Sequence, residues 1–271
     1  MPFDLTHGAL SDIGRKRAHN EDRYCTETAL GLFVVCDGMG GNNAGEIASG
    51  LAIETIHRHV NEASQNPDLA LIGQASPQAA LATNRLASAI REANHVIYTQ
   101  ATRKPEWTGM GTTVVAALLT DRLLSFAHVG DSRLYLVRAH TLEPLTTDHS
   151  WVAEQVRSGL MTEAEAQRSP RRNIVTRALG VEPDVDVTIG EITLQAGDML
   201  LLCSDGLTQG VSTGALLHAL IRNDDMAATA QHLVALANNA GGEDNITVIT
   251  VAVRDAEEPS MQTPSSQRLA I

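Results

Sequence analysis

Residues Val34–Ser49 read VVCDGMGGNNAGEIAS. The apolar run Leu32–Cys36 has the length of a strand, stops against Asp37, and is followed by the turn formers Gly38, Gly40 and Gly41. Beyond them, Ile47, Leu51, Ile56 and Val60 recur at spacings that stay near one face of a helix running from Ala44 to Val60. A carboxylate at the end of a buried strand is costly to desolvate unless a cation or a donor sits opposite.

The same grammar recurs in His128-Val129-Gly130-Asp131-Ser132, in Leu202-Cys203-Ser204-Asp205-Gly206 and in Asp244-Asn245-Ile246-Thr247-Val248. A single Asp-Gly after a strand explains itself as a tight turn. Several such ends, together with Arg17-Ala18-His19-Asn20-Glu21-Asp22, suit a shared rim that invites a hard divalent cation.

The intervening chain supplies clustered strands rather than a strict strand-helix alternation. A second helix is predicted from a Ser76 cap and Pro77 through Leu81, Leu86, Ile90 and Ile97. Thr112–Leu119, Leu123–Val129 and Arg133–Val137 read as strands whose short connections favour antiparallel pairing. From His149 to Gly180 the pattern turns polar and helical, with a capping box at Thr162 and Glu165 and a break at Ser169-Pro170-Arg171-Arg172, as in an insertion. Strands follow at Val185–Ile192 and Met199–Cys203, helices at Ser212–Ile221 and Asp225–Asn238, and a closing strand at Asn245–Val253. Arg254–Ile271, rich in Pro, Ser, Gln and Glu, is expected to be a disordered tail.

With 32 acidic and 20 basic residues the net charge is -12, which argues against nucleic-acid binding. Hydrophobic residues make up 43% of the chain, enough for a sizeable core. The longest apolar runs are too short to span a bilayer, and no secretory leader is visible, so a soluble, cytoplasmic protein without membrane partners is expected. Cys25, Cys36 and Cys203 read as reduced thiols rather than a disulfide or zinc framework.

The segments GRKRAHNEDRY (14–24), VVCDGMGGNNAGEIAS (34–49), GMGTTV (109–114), AHVGDSRLY (127–135), TDHSWV (147–152), NIVTRALG (173–180), LLCSDGLTQG (201–210) and EDNITVITV (243–251) occur in one order. In that order they resemble the metal-dependent Ser/Thr protein phosphatases of type 2C, the PPM family, and especially its stand-alone bacterial members. The resemblance implies an α/β (α+β) sandwich of two stacked, mostly antiparallel sheets flanked by helices, with a metal centre at one end. It also implies one catalytic domain over residues 1–253, with a flap at 148–180 closing over protein substrates.

It further implies two tightly bound Mn²⁺ or Mg²⁺ ions and a weaker third. Asp37 would bridge the pair, Asp205 and Asp244 would complete the coordination of the first ion, and the second ion would use the Gly38 carbonyl and Glu21, directly or through water. Asp22 would orient the attacking water, Arg17 would clamp the phosphate, and Asp131 with Asp205 would hold the third ion. All these ligands are oxygen, the choice of hard cations. The expected activity is hydrolysis of phosphoserine and phosphothreonine in proteins by a monomer opposing a Ser/Thr kinase. A partner-switching phosphatase for one regulator is the alternative. A binding module without catalysis should lack ligands, and Asp37, Gly38, Asp205 and Asp244 are all present.

Met39 stands where animal members of the family usually place a histidine that protonates the leaving oxygen, which leaves His149, His19 or a water on the third metal as candidates. His57 and His59 read as solvated, Gly111-Thr112-Thr113 as strand packing, and Arg171-Arg172 as a solvated turn or a contact for acidic substrate segments.

Overall fold

The computed structural model describes residues 3–41 and 44–256. Strand β3 (Leu32–Cys36) is buried along its whole length and feeds two cores. Leu32, Val34 and Cys36 pack against α1 (Ala44–Gln65) and α2 (Leu81–Arg103), whereas Phe33 and Val35 face a second sheet. Burial on both faces is why this stretch reads as an unbroken apolar run rather than an alternating one.

One five-stranded sheet runs β10 (Thr188–Thr193), β7 (Leu123–Val129), β6 (Val114–Thr120), β3, β2 (Arg23–Glu27). The other runs β1 (Phe3–Asp12), β12 (Ile246–Asp255), β11 (Met199–Cys203), β8 (Arg133–Arg138), β9 (Thr141–Pro144). Their ladders are antiparallel. Helices α6 (Thr213–Ile221) and α7 (Met226–Asn239) cover the outer face of the second sheet through Leu216, Leu220, Leu233 and Val234. The layers are therefore helix, sheet, sheet, helix, the sandwich expected. A small ladder, β4 (Gly38–Met39) with β5 (Gly111–Thr112), closes one end. Among the described residues, no helix is long and apolar enough to cross a membrane.

Several boundaries moved. α2 begins at Leu81, not at Ser76: residues 76–80 form a turn in which Asn84 Nδ2 donates to the carbonyls of Ser76, Ala79 and Ala80. Glu191, from β10, accepts the Ala80 N–H at 2.6 Å and the Thr83 hydroxyl at 2.5 Å, so this helix start is fixed by a carboxylate distant in sequence. Strands β1 and β2 were not anticipated. The closing strand continues to Asp255, because Arg254 and Asp255 still pair with Asp4 and Phe3; the expected tail therefore cannot begin at Arg254, and its residues 257–271 lie outside the described ones.

The 148–180 segment carries α3 (Trp151–Arg157) and α4 (Glu163–Arg168), the latter opened by the anticipated Thr162–Glu165 capping box. Its two ends are pinned. Arg133 grips Asp148 through two hydrogen bonds of 2.9 and 2.7 Å, and Leu179 bridges to Thr112.

Candidate active site

Asp37 leaves β3 with its backbone held on both sides. Its N–H donates to Thr113 Oγ1 at 3.1 Å, and its carbonyl accepts from the Thr113 N–H at 2.8 Å and the Thr112 hydroxyl at 2.9 Å. Thr112 and Thr113, expected to serve only packing, thus position this aspartate. Only glycine fits next: a Cβ at Gly38 would lie 2.2 Å from the Gly45 carbonyl oxygen and 2.6 Å from that of Glu21. Thr113 Oγ1 is also 2.7 Å from Ser132 Oγ, beside Asp131, so one buried hydroxyl pair joins two strand ends.

Asp205 opens the short helix α5 (Asp205–Thr208), where its Oδ2 accepts from Gln209 Nε2 at 2.6 Å. Asp244 precedes β12 and accepts from Arg17 Nη2 at 2.7 Å. Asn245, which the sequence reading did not single out, ties down the loop that carries Arg17 and Glu21. Its Oδ1 accepts the Glu21 N–H at 2.8 Å, and its Nδ2 donates to the carbonyls of Ile13 and His19.

The result is one open cavity of about 240 Å³, lined by Arg17, Glu21, Asp37, Gly38, Asp131, Asp205 and Asp244, with Met39, Gly40, Thr113, Asn173, Val175 and Asn245 completing its wall. Asp22 is not part of that wall. It lies buried one layer behind, with Oδ2 accepting from the Ser204 hydroxyl at 2.8 Å. The acidic groups surround the cavity without forming a tight shell: among the described residues, no three His, Cys, Asp or Glu side chains already converge at ligand spacing.

Burial, and after it the proximity of other carboxylates, pushes Asp37 well above the usual carboxylate range and raises Asp131 and Asp205 as well. Among the described residues, the buried oxygens Oδ1 of Asp205 and Oδ1 of Asp22 have no hydrogen-bond partner. Crowded, desolvated carboxylates with unused lone pairs call for positive charge, and an all-oxygen set suits a hard divalent ion.

The sequence profile of the protein phosphatase 2C family matches residues 14–246. The serine/threonine phosphatase stp of Listeria monocytogenes is 38% identical over 244 residues, covering 89% of this chain and 93% of the relative. The chain belongs to the protein phosphatase 2C family.

Solved structures of the family agree. The Mycobacterium tuberculosis serine/threonine phosphatase PstP/Ppp superposes with a TM-score of 0.81 at 36% identity, over 92% of this chain and 99% of that one. The catalytic domain of the phosphatase PstP in complex with two manganese ions gives 0.80 at 36% identity, over 93% and 99%.

Against this phosphatase 2C frame, the histidines of the sequence reading fall away from the site. His149 is buried, its Nδ1 accepting the Gly130 N–H at 3.1 Å and its Nε2 lying 3.0 Å from Thr188 Oγ1, so both ring nitrogens are engaged in the fold. His19 is exposed and absent from the cavity wall. His59, expected in solvent, is buried with Nδ1 2.5 Å from Glu92 Oε2, because the packing of α2 on α1 covers it. Arg171 is exposed and lies over the Trp151 ring, 4.9 Å from its centroid. Asn173 and Val175 had no signal beyond their motif; the chain reversal that follows α4 brings them to the cavity.

Proposed function

We propose that this phosphatase hydrolyses phosphoserine and phosphothreonine in proteins with Mn²⁺ or Mg²⁺ as cofactor. One observation carries the reading: Asp37, Asp205, Asp244 and Glu21 face a single cavity whose cationic side chain, among the described residues, is Arg17. Asp37, Asp205, Asp244, Glu21 and the Gly38 carbonyl would hold two ions, and Asp131 with Asp205 a weaker third. Such ions, when bound, supply Lewis-acid activation and neutralise phosphate charge.

The chain's own groups do the rest. Arg17 binds the phosphate oxygens through a planar guanidinium with several fixed donors. Its present partner is Asp244, and Arg17 is half exposed there, so the pair is weak enough to exchange for a phosphate. Asp22 is a positioning residue: buried against Ser204, it fixes the backbone that carries Glu21 on one side and Asp205 on the other. No histidine lines the cavity among the described residues, so the proton to the departing serine or threonine oxygen comes from a cavity group other than imidazole, and water is the candidate that remains from the sequence.

The enzyme would work as a cytoplasmic monomer that opposes a Ser/Thr kinase. Free cysteines, two of them buried, support a reducing compartment. The deciding experiment follows turnover of p-nitrophenyl phosphate and of a phosphothreonine peptide with and without Mn²⁺ or Mg²⁺. Activity that requires the ion and disappears with EDTA is expected. Undiminished turnover after exhaustive chelation overturns the metal mechanism, and activity on DNA phosphodiesters alone overturns the substrate class.

A further inference from the structure

We propose that Arg23, braced by Glu46, is a positioning residue for the second ion alone: it fixes the backbone of Glu21 against Gly38, the two residues assigned to that ion, and leaves the Asp205 and Asp244 side untouched. The inference rests on the two-ion reading proposed above. Arg23 opens β2 and stands in the ladder opposite Cys36, the residue before Asp37. From there its Nη1 donates to the carbonyls of Asn20 at 3.0 Å and Asp22 at 2.7 Å, and its Nη2 donates to Glu46 in the first turn of α1. One planar guanidinium thus straddles Glu21 and ties it to the neighbouring helix.

Glu21 is held on its other sides as well. Its carbonyl accepts from the Ser49 hydroxyl of α1 at 2.5 Å, its N–H donates to Asn245 Oδ1 at 2.8 Å, and the next N–H, that of Asp22, donates to Asn20 Oδ1 at 3.1 Å. The carbonyls of Asn20, Glu21 and Asp22 are therefore all taken by side chains, two of the three by Arg23. A loop with its polar backbone groups so committed has its functional side chain set before any ligand arrives.

Close contacts make the effect specific to one ion. A Cβ at Gly45 would stand 2.7 Å from Glu21 Oε1, and one at Gly38 would stand 2.2 Å from the Gly45 carbonyl oxygen and 2.6 Å from that of Glu21. Glu21, Gly38 and Gly45 meet with no room for a methyl group, so any shift of α1 against residues 20–22 moves the Glu21 carboxylate relative to the Gly38 carbonyl. Glu46 follows Gly45 directly, and its bridge to Arg23 opposes that shift. Asp205 sits on α5 and Asp244 just before β12, and Arg23 makes no hydrogen bond to either among the described residues. The Arg23–Glu46 pair is partly exposed, so its Coulomb attraction is modest and its worth is geometric.

Titration of the chelated protein with Mn²⁺, followed by calorimetry, tests this. The parent should bind two ions tightly. Arg23→Ala should weaken one of them about 10-fold, the lower end for groups that orient a ligand without touching the ion, and leave the other at parental affinity. Glu21→Gln should weaken the same ion, and the double variant should lose no more than Glu21→Gln alone, since Arg23 acts through Glu21. Arg23→Lys should recover only part of the loss, because an ammonium lacks the fork that spans two carbonyls and a carboxylate. Glu46→Gln keeps the side-chain shape and should weaken the same ion by a smaller factor, so it carries the test if Arg23→Ala does not fold. Unchanged affinities in these variants, losses shared equally by the two ions, or additive losses in the double variant overturn the assignment while leaving the two-ion reading intact. A parent that binds no Mn²⁺ removes that reading and the positioning role together.

Discussion

Arg17 Nη2 lies 2.7 Å from Asp244 Oδ2, so the cavity's guanidinium rests on one of its own carboxylates, 227 residues away in sequence. Hydrogen bonding to Asp244 raises the Arg17 pKa still further, and the group is a permanent cation. Arg17→Ala should raise KM for a phosphopeptide about 10-fold with a smaller change in kcat, and Arg17→Lys should recover only part of the loss, because an ammonium lacks the planar fork. Steady-state kinetics on the three proteins checks this; an unchanged KM in Arg17→Ala removes the phosphate-binding role.

The Thr113 hydroxyl should matter beyond packing, since it accepts the Asp37 N–H and meets Ser132 Oγ. Thr113→Val keeps the shape but leaves a buried amide unsatisfied, at a cost of about 1–3 kcal/mol. Mn²⁺ affinity measured by calorimetry should fall about 10- to 100-fold, as for other groups that orient a ligand without touching the ion. Thr113→Ser, which retains the hydroxyl, should restore it. Equal affinity in Thr113→Val and the parent would show that the hydroxyl merely fills space.

Asp205→Asn should lower kcat at least about 100-fold, the scale on which a positioned electrostatic group contributes. In chelated protein the same change should raise thermal stability, because it removes one carboxylate from a set that burial and mutual repulsion destabilise when ionised. Opposite signs on activity and stability mark a functional carboxylate. A loss of both would make Asp205 a structural residue.

His149 gives a pH signature. It is 5% exposed and stacks on His128 with ring centroids 4.5 Å apart. Burial first, then His128, Arg177 and Arg157, lower its pKa to about 3. The unfolded chain protonates this histidine near pH 6.5 while the folded chain does not, so stability is full above that pH and declines as pH falls toward 3. Between pH 6 and 4 the stability difference between the parent and His149→Gln should shift against the parent by up to about 1.4 kcal/mol per pH unit, read from urea unfolding of chelated protein. A difference that stays constant over this range would show that His149 keeps an ordinary pKa in the fold.

Local sequence carried a good deal of this protein. β3, β7 and β11 are legible because they are buried on both faces and read as unbroken apolar runs, the cap Thr162 because it accepts a backbone N–H only three residues on, and the helix starts near Ser212 and Asp225, which the structure shows to be caps, because they too are set within one turn of the chain. The acidic strand ends Asp37, Asp131, Asp205 and Asp244 were legible as a set because each interrupts such a run, and the structure places all four around one cavity.

What tertiary structure alone decided involves partners far apart in the chain. β1 has little apolar pattern of its own and exists because β12 supplies its ladder; α2 starts where Glu191 caps it; His59 is buried because α2 lies across it. The roles of Thr113 and Asn245, and the withdrawal of Asp22 from the cavity wall, likewise depend on which strand ends meet. Hydrophobic period and capping are short-range consequences of backbone geometry, so a sequence displays them. A hydrogen bond between groups 70 to 230 residues apart leaves no mark on the local pattern, and it forms only once the two sheets have stacked.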